Sequence, residues 1–309
     1  MVESKRQWKA WLYLSPAIVL LLIFTVWPII NTLIMAFQNG YKFNEAKGGA
    51  TFSFGVENFQ SVLKYPDFWS SLKTTTILCV ATVPISTALA LLIAVALNSI
   101  KPLQKCLQTI FFLPYVTNSI AIGMVFAAMF NIIGPTSNNL ADADSLGIIN
   151  RVIMFFGGDP VNWMNAGSSY ENNILVMIIY IVWNALPFKI LILLGGLQSI
   201  NKQYYEAAKV DGTPRRRVLT KITIPLLSPM IAYVVITGFI GGFKEYSSIV
   251  GVFGDKMGPN NLNTMVGLVY DSLELNAQGM ASAAALILFG IILVITMINL
   301  WVSKKRVHF

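Results

Sequence analysis

Histidine is almost missing from this sequence. The one copy, His308, stands next to the last residue, and the only two cysteines, Cys79 and Cys106, lie in apolar runs far apart. That scarcity points away from a disulfide framework and from a Cys/His metal cluster. It also leaves no nucleophile–base or metal constellation of the kind an intramembrane enzyme requires. Charge is scarce too, at 12% of residues against 55% hydrophobic ones, where a soluble globule carries about 25% charged residues to cover its surface. There is no Walker-type glycine loop, so any ATP hydrolysis has to come from another protein. Within the apolar runs the only carboxylate is Glu245, and no convincing inverted repeat is visible, which argues against an ion-coupled secondary transporter.

What is abundant is apolar sequence in runs long enough to cross a bilayer as helices, which takes roughly 20 residues each. Six such spans are expected, near Trp11–Phe37, Thr74–Leu97, Cys106–Ile133, Ile174–Leu194, Leu226–Val250 and Met280–Val302. The chain is therefore expected to be an all-α, polytopic membrane protein with six transmembrane helices. The first run starts like a signal peptide, with Lys5, Arg6 and Lys9 ahead of it. It continues past Pro28 without a small-residue cleavage site, and a signal core is only about 7–15 residues, so it reads as a retained helix. Prolines 16, 28, 84, 114 and 187 fall inside the spans; in a helical bundle, neighbouring helices can satisfy the backbone groups they free.

Loop charge gives the orientation. The N-terminus, the Ser99–Lys105 loop, the Gln198–Pro225 loop and the tail hold 14 basic residues against three acidic ones, Glu3, Glu206 and Asp211. The remaining loops hold six basic and ten acidic residues. Lys/Arg-rich loops are cytoplasmic, so both termini are expected inside. The net charge of +8 then reflects sidedness and gives no nucleic-acid footprint. Outside, Asn44–Lys73 contains the run Asn58–Lys64, read as a short interfacial helix, and Gly134–Glu171 is polar with one apolar piece, Gly147–Phe156. Loops of that length have a function or a fold of their own. They read either as a cap over the bundle or as a docking surface.

The connection between the fourth and fifth spans is the most informative stretch. Asn201 can cap a short helix running to about Asp211, and Gly212 suits the left-handed turn that ends helices. Thr213 would then cap a second helix with Pro214 in its first turn, carrying Arg215, Arg216, Arg217 and Lys221 and ending at Ile224–Pro225. Ala207 and Ala208 leave little bulk on the first helix, as seating in another protein's groove requires. By spacing alone the pair reads equally as a basic anchor on anionic headgroups.

The segment Glu206–Ala207–Ala208, with Gly212 four residues on and Ile224–Pro225 beyond, closely resembles the cytoplasmic EAA signature of ABC importer permeases. Phe111–Phe112–Leu113–Pro114 resembles that family's third-helix start, Val161–Asn162–Trp163–Met164 its external segment, and Lys304–Phe309 its tail. The likeness covers nearly the whole chain and is nearest to permeases of the maltose, oligosaccharide and glycerol-phosphate type. It implies the type I importer permease fold in the bacterial cytoplasmic membrane. Residues 1–73 would form the first helix and an external loop, 74–302 a five-helix core with the coupling loop at 198–225, and 303–309 the tail. It also implies a second permease chain, two cytoplasmic ATPases that use ATP and Mg, and an extracytoplasmic solute-binding protein. Tyr205, Glu206, Ala207, Ala208, Asp211 and Gly212 would form the coupling helix in an ATPase cleft. ATP-driven closure there would rock the bundle between inward-open and outward-open states.

Polar groups inside a span face the bundle interior or a water cavity. The fifth span holds a polar and aromatic run, Phe243, Lys244, Glu245, Tyr246, Ser247 and Ser248, and helical spacing would put Lys244, Ser247 and Ser248 on one face. In the related permeases the positions matching Phe243, Lys244, Ser247 and, on the fourth span, Phe188 look like sugar contacts. Lys244 departs from the maltose pattern, which has an amide there, and leaves room for an acidic or phosphorylated solute. Lys244 and Lys189 read alternatively as side chains that snorkel to the headgroups. Gly238 and Gly242 form a small-residue seam suited to close helix packing.

Overall fold

The computed structural model describes residues 7–44, 49–100, 104–130, 146–165, 167–254, 260 and 262–306. Five helices are long and apolar enough to cross a membrane: Trp8–Ala36, Pro66–Ser99, Tyr170–Ser199, Arg215–Phe243 and Gln278–Lys304. The pair Gln108–Val116 and Ser119–Phe130, bent by 101°, makes six if it is one broken span. Several helices outrun the apolar runs that announced them. The helix Pro66–Ser99 has 34 residues, about 51 Å at 1.5 Å per residue, against a hydrocarbon core about 30 Å thick. Hydropathy marks only the part of a helix that lies in lipid.

The chain forms two compact units, Met1–Tyr65 with Leu268–Ile287, and Pro66–Gly267 with Leu288–Phe309. In the first, α1 (Gln7–Leu21) and α2 (Trp27–Ala36) are joined through a π-helical turn, Leu22–Val26. The turn lies immediately before Pro28. Proline removes an N–H and crowds the carbonyl four residues back, and a wider turn absorbs both. None of the most apolar stretch of this span is buried by the chain itself, which leaves its whole circumference for lipid or another chain.

An antiparallel hairpin follows, β1 (Gln38–Asn44) with β2 (Gly49–Phe54), in register Gln38 to Phe54. It is a local exception in a chain that is otherwise helical as expected, and the sequence reading did not anticipate it. The signal was the alternation of Phe52 and Phe54 with Thr51 and Ser53, which is strand period and not helix period. Helix α3 (Glu57–Lys64) forms where an interfacial helix was expected. Asn58 fastens it, donating from Nδ2 to the carbonyls of Ala36 and Gln38, each at 3.1 Å.

The second unit is built on α4 (Pro66–Ser99) and α8 (Tyr170–Ser199), which pack along their lengths. Between them in sequence come α5 (Gln104–Val116), α6 (Ser119–Phe130) and the short α7 (Ile148–Phe155). After α8 come α9 (Lys202–Val210), α10 (Arg215–Val218), α11 (Ile224–Phe243), α12 (Ser247–Phe253), α13 (Met265–Glu274) and α14 (Gln278–Arg306); of the last two, the stretch Leu268–Ile287 belongs to the first unit. One core gathers Leu78, Phe126, Met177, Tyr180 and Ile249. A second joins Ala90, Leu97, Leu193, Leu227 and Val234. The Gly238–Gly242 seam packs closely on α4, since a Cβ added to Gly242 would stand 2.7 Å from Cys79 Sγ.

The segment that follows α7 is tied down by asparagines. Asn150 exchanges hydrogen bonds with Val161, at 2.9 and 3.0 Å, and accepts from the Trp163 indole at 3.0 Å. Asn173 donates to the Trp163 carbonyl at 2.8 Å. Asn162–Trp163 is thus a folded clasp, positioned by amide side chains that satisfy backbone groups a loop would otherwise leave open.

Lys189 does not snorkel. It is buried at 4% exposure, and its ammonium donates to Ser86 Oγ at 2.7 Å, Thr87 Oγ1 at 2.9 Å and the Val83 carbonyl at 3.2 Å. All three donors are matched on α4, so the side chain turns inward and not toward a headgroup. Replacing a buried ion pair with well-packed apolar residues is commonly neutral or stabilising by about 1–4 kcal/mol, and an ammonium held only by neutral oxygens bears the same kind of desolvation cost. Lys189→Met is therefore expected to fold and to keep or raise the midpoint of thermal unfolding in detergent. A fall of several degrees would show that the cation itself is needed to hold α4 and α8 together.

Candidate functional site

The fifth span is not continuous to Val250. Helix α11 ends at Phe243, Lys244 is its C-cap with φ −96°, and α12 begins at Ser247. The single helical face expected for Lys244, Ser247 and Ser248 therefore does not exist. Glu245 explains the break: its Oε1 accepts from the backbone N–H groups of Tyr246 at 3.2 Å and Ser248 at 3.1 Å. Those donors have no partner within a starting helix, so the carboxylate caps α12. Lys244 and Ser247 are exposed, Tyr246 is half-buried, and Phe243 and Ser248 are buried.

A second break faces the first. Helix α5 stops at Val116 and α6 starts at Ser119, where Asn118 Oδ1 accepts from Ile120 N–H at 2.8 Å. Helices α6 and α12 pack side by side. Tyr180, fully buried on α8, links the two breaks. Its hydroxyl donates to the Ser119 carbonyl at 2.6 Å and lies 2.9 Å from Ser119 Oγ. The Ser248 side chain hydrogen-bonds both Tyr180 and Glu245. Unwound segments inside a membrane are tolerated where protein covers them or where they line a water-filled cavity.

Beside this cluster an aromatic ladder runs from α5 to α8. The Tyr115 ring stacks on Phe188 at 5.7 Å with 22° between planes, and Phe112 lies 5.4 Å from Tyr115. Phe188 is half-buried and Tyr115 exposed. Phe188 is thus one rung of an aromatic surface, and Tyr115 was not anticipated. Tyr180 and Ser119 were also missed, although polar groups inside a span are the very signal that drew attention to Ser247.

The α8–α11 connection forms the other candidate surface. Asn201 caps α9, its side chain accepting from Gln203 N–H at 3.0 Å. Gly212 has φ +63°. The Thr213 N–H bonds the Ala208 carbonyl at 2.9 Å and the Gly212 N–H bonds the Lys209 carbonyl at 3.2 Å, which is the Schellman closure. Two expectations are corrected here. Pro214, not Thr213, is the N-cap of α10, and no side chain caps it. The second helix does not end at Ile224–Pro225 either, because a π-helical turn, Leu219–Thr223, carries it into α11. As before Pro28, the wide turn precedes a proline.

Glu206, Ala207, Asp211 and Gly212 are exposed, Tyr205 is half-buried, and Ala208 is buried against its own loop. The Tyr205 hydroxyl lies 3.3 Å from Thr223 Oγ1, tying α9 to the π-helical turn. Outward, Val210 is 88% exposed and Tyr204 54%. A depression of about 410 Å³ lies alongside, lined by Gln203, Tyr204, Ala207, Asp211 and Ile222 among others.

Apolar spans, paired helix breaks and an exposed elbow helix define a polytopic membrane transport subunit. The chain belongs to the family of binding-protein-dependent transport system inner membrane components, whose pattern matches residues 86–308. It is a permease subunit of an ABC importer. It is 30% identical over 290 residues to the lactose transport system permease protein LacF of Rhizobium radiobacter, covering 94% of this chain and 91% of that one. It is 29% identical to the arabinooligosaccharides transport system permease protein AraP of Bacillus subtilis, over 95% and 88% of the two chains. The trehalose/maltose permease MalF of Thermococcus litoralis is 27% identical, over 96% and 94%. A chain of a bacterial ABC transporter involved in import of the acidic polysaccharide alginate shares the fold, with TM-score 0.78 at 23% identity over 97% of this chain and 96% of that one.

Proposed function

We propose that this permease carries a sugar or short oligosaccharide inward across the cytoplasmic membrane by alternating access, powered by separate ATPase subunits. The observation that carries the coupling half of this reading is α9. It is a capped, exposed helix whose tip presents Val210 and Tyr204 to its surroundings, apolar area that a seat in another protein would cover. The sugar half is supported by the relatives named for lactose, arabinooligosaccharides and trehalose/maltose. The partners are a second permease, two ATPases with ATP and Mg, and an extracytoplasmic solute-binding protein. Tyr205, Glu206, Ala207, Ala208, Asp211 and Gly212 form the ATPase contact. Lys244, Tyr246, Ser247 and Phe188 line the solute path, with Phe243 and Ser248 supporting them from behind.

Purification of the tagged chain from its native membrane is expected to bring down an ATPase and a second permease, and the assembly should hydrolyse ATP faster when loaded binding protein is added. Recovery of the chain alone, with uptake that needs no ATP, would overturn the reading. Orientation has its own test. In a background without Cys79 and Cys106, a cysteine at the exposed Asp159 should react with an impermeant maleimide on intact cells, and one at the exposed Thr220 should not. The reverse pattern would place α9 outside and remove it from any ATPase.

A further inference from the structure

We propose that Lys244 selects a solute bearing negative charge, a sugar carrying a carboxylate or phosphate, over a neutral sugar. This rests on the assignment of the helix break at Lys244–Tyr246 to the solute path.

The neighbouring carboxylate would ordinarily be the counter-ion. Glu245 is directed elsewhere: its Oε1 holds the Tyr246 and Ser248 N–H groups, and the Ser248 side chain bonds it as well. That oxygen is taken up by the start of α12. Among the described residues Lys244 hydrogen-bonds only through its backbone N–H, to Gly241 O at 3.0 Å. Its side chain is exposed, and no ion pair forms to it among the described residues.

Lys189 provides the contrast within the same bundle. That cation is buried and fully matched by neutral oxygens on α4, and it has nothing left to offer a ligand. Lys244 retains all three donors. An ammonium turned to hydrocarbon is costly, so a position between two half-helices is one that water or a ligand fills. Discontinuous helices place ion and substrate groups at such breaks. A cation there, with its nearest carboxylate engaged, attracts anions and gives a neutral sugar no matching advantage.

The test uses cells carrying the whole transport system and three probes: digalacturonate, the neutral galactobiose, and glycerol 3-phosphate. Wild-type cells are expected to import an anionic probe in preference to galactobiose. Lys244→Gln keeps a donor but loses the charge, and should lower that import by about ten- to a hundred-fold, the range for losing a charged hydrogen bond. Lys244→Arg should retain most of it, and the ATPase should co-purify unchanged with both variants. Preference for glycerol 3-phosphate over digalacturonate would support the charge selection and place the charge on phosphate. Import of galactobiose alone, equal in wild type and Lys244→Gln, would overturn the selection while leaving the importer reading intact. Loss of ATPase co-purification in Lys244→Gln would also overturn it, since Lys244 would then be an assembly contact. Import of none of the probes would overturn the selection together with the sugar reading beneath it.

Discussion

Gly212→Val is expected to abolish transport-coupled ATP hydrolysis while the chain still inserts in the membrane. Gly212 sits at φ +63°, where a β-branched residue is a genuine outlier, and holding one there costs about 1–3 kcal/mol. A Cβ at this position would meet nothing within 4 Å. The penalty is therefore backbone strain alone, and the chain relieves it by giving up the turn. That turn carries the Schellman pair from Thr213 and Gly212 back to Ala208 and Lys209, so its loss would re-aim α9 relative to the π-helical turn that leads into α11. A coupling helix biases the bundle only through contacts that differ between its two states, and a swivelling α9 transmits no such difference. Gly212→Ala should show the same direction with a smaller loss. Glu206→Lys, at an exposed position, should fold normally and fail at ATPase contact. The readout is ATP hydrolysis stimulated by loaded binding protein in proteoliposomes. Wild-type stimulation in both Gly212→Val and Glu206→Lys would remove this loop from coupling.

How much of this was legible follows from what each signal measures. Apolar run length placed the spans because the bilayer imposes a length on them, and the N-cap at Asn201 and left-handed Gly212 were readable because cap and turn chemistry are local. The break after Phe243 was not readable from spacing. A periodicity argument assumes that the helix continues, whereas here a carboxylate one residue beyond the C-cap satisfies the next helix's N–H groups and makes stopping tolerable. The burial of Lys189 was missed for a different reason: its partners, Val83, Ser86 and Thr87, lie about a hundred positions earlier in the chain, and nothing near Lys189 in sequence points to them. The two π-helical turns share one cause, a proline just beyond, and the prolines were visible while the remedy was not. Tyr180 could have been found. A hydroxyl in the middle of an apolar span needs a partner, and the same rule that drew attention to Ser247 applies to it.

The crossing of α6 and α12 carries the other large expected effect. A Cβ on Gly123 would stand 2.5 Å from the Gly251 carbonyl carbon, 2.7 Å from its Cα and 2.9 Å from its oxygen. All three are backbone atoms, so no side chain can rotate away and the two half-helices have to separate. A Cβ on Gly251 would meet Ile120 Cα at 3.0 Å, a milder version of the same contact. Overpacking a well-filled interior costs about 1–3 kcal/mol and occasionally more, and Gly123→Ala belongs at the upper end because its clash is with main chain. The consequence reaches the proposed solute path. Helix α6 begins at Ser119, bonded to Tyr180, and α12 begins beside Glu245, so pushing the helices apart pulls on both breaks together. Gly123→Ala is therefore expected to lower the thermal midpoint in detergent by several degrees and to reduce uptake more than tenfold, with Gly251→Ala intermediate. Gly241→Ala, where an added Cβ meets nothing within 4 Å, is the control and should leave the midpoint where it is. If Gly123→Ala unfolds and transports like Gly241→Ala, the crossing is loose enough to absorb a methyl group, and α6 and α12 do not hold the two breaks in register.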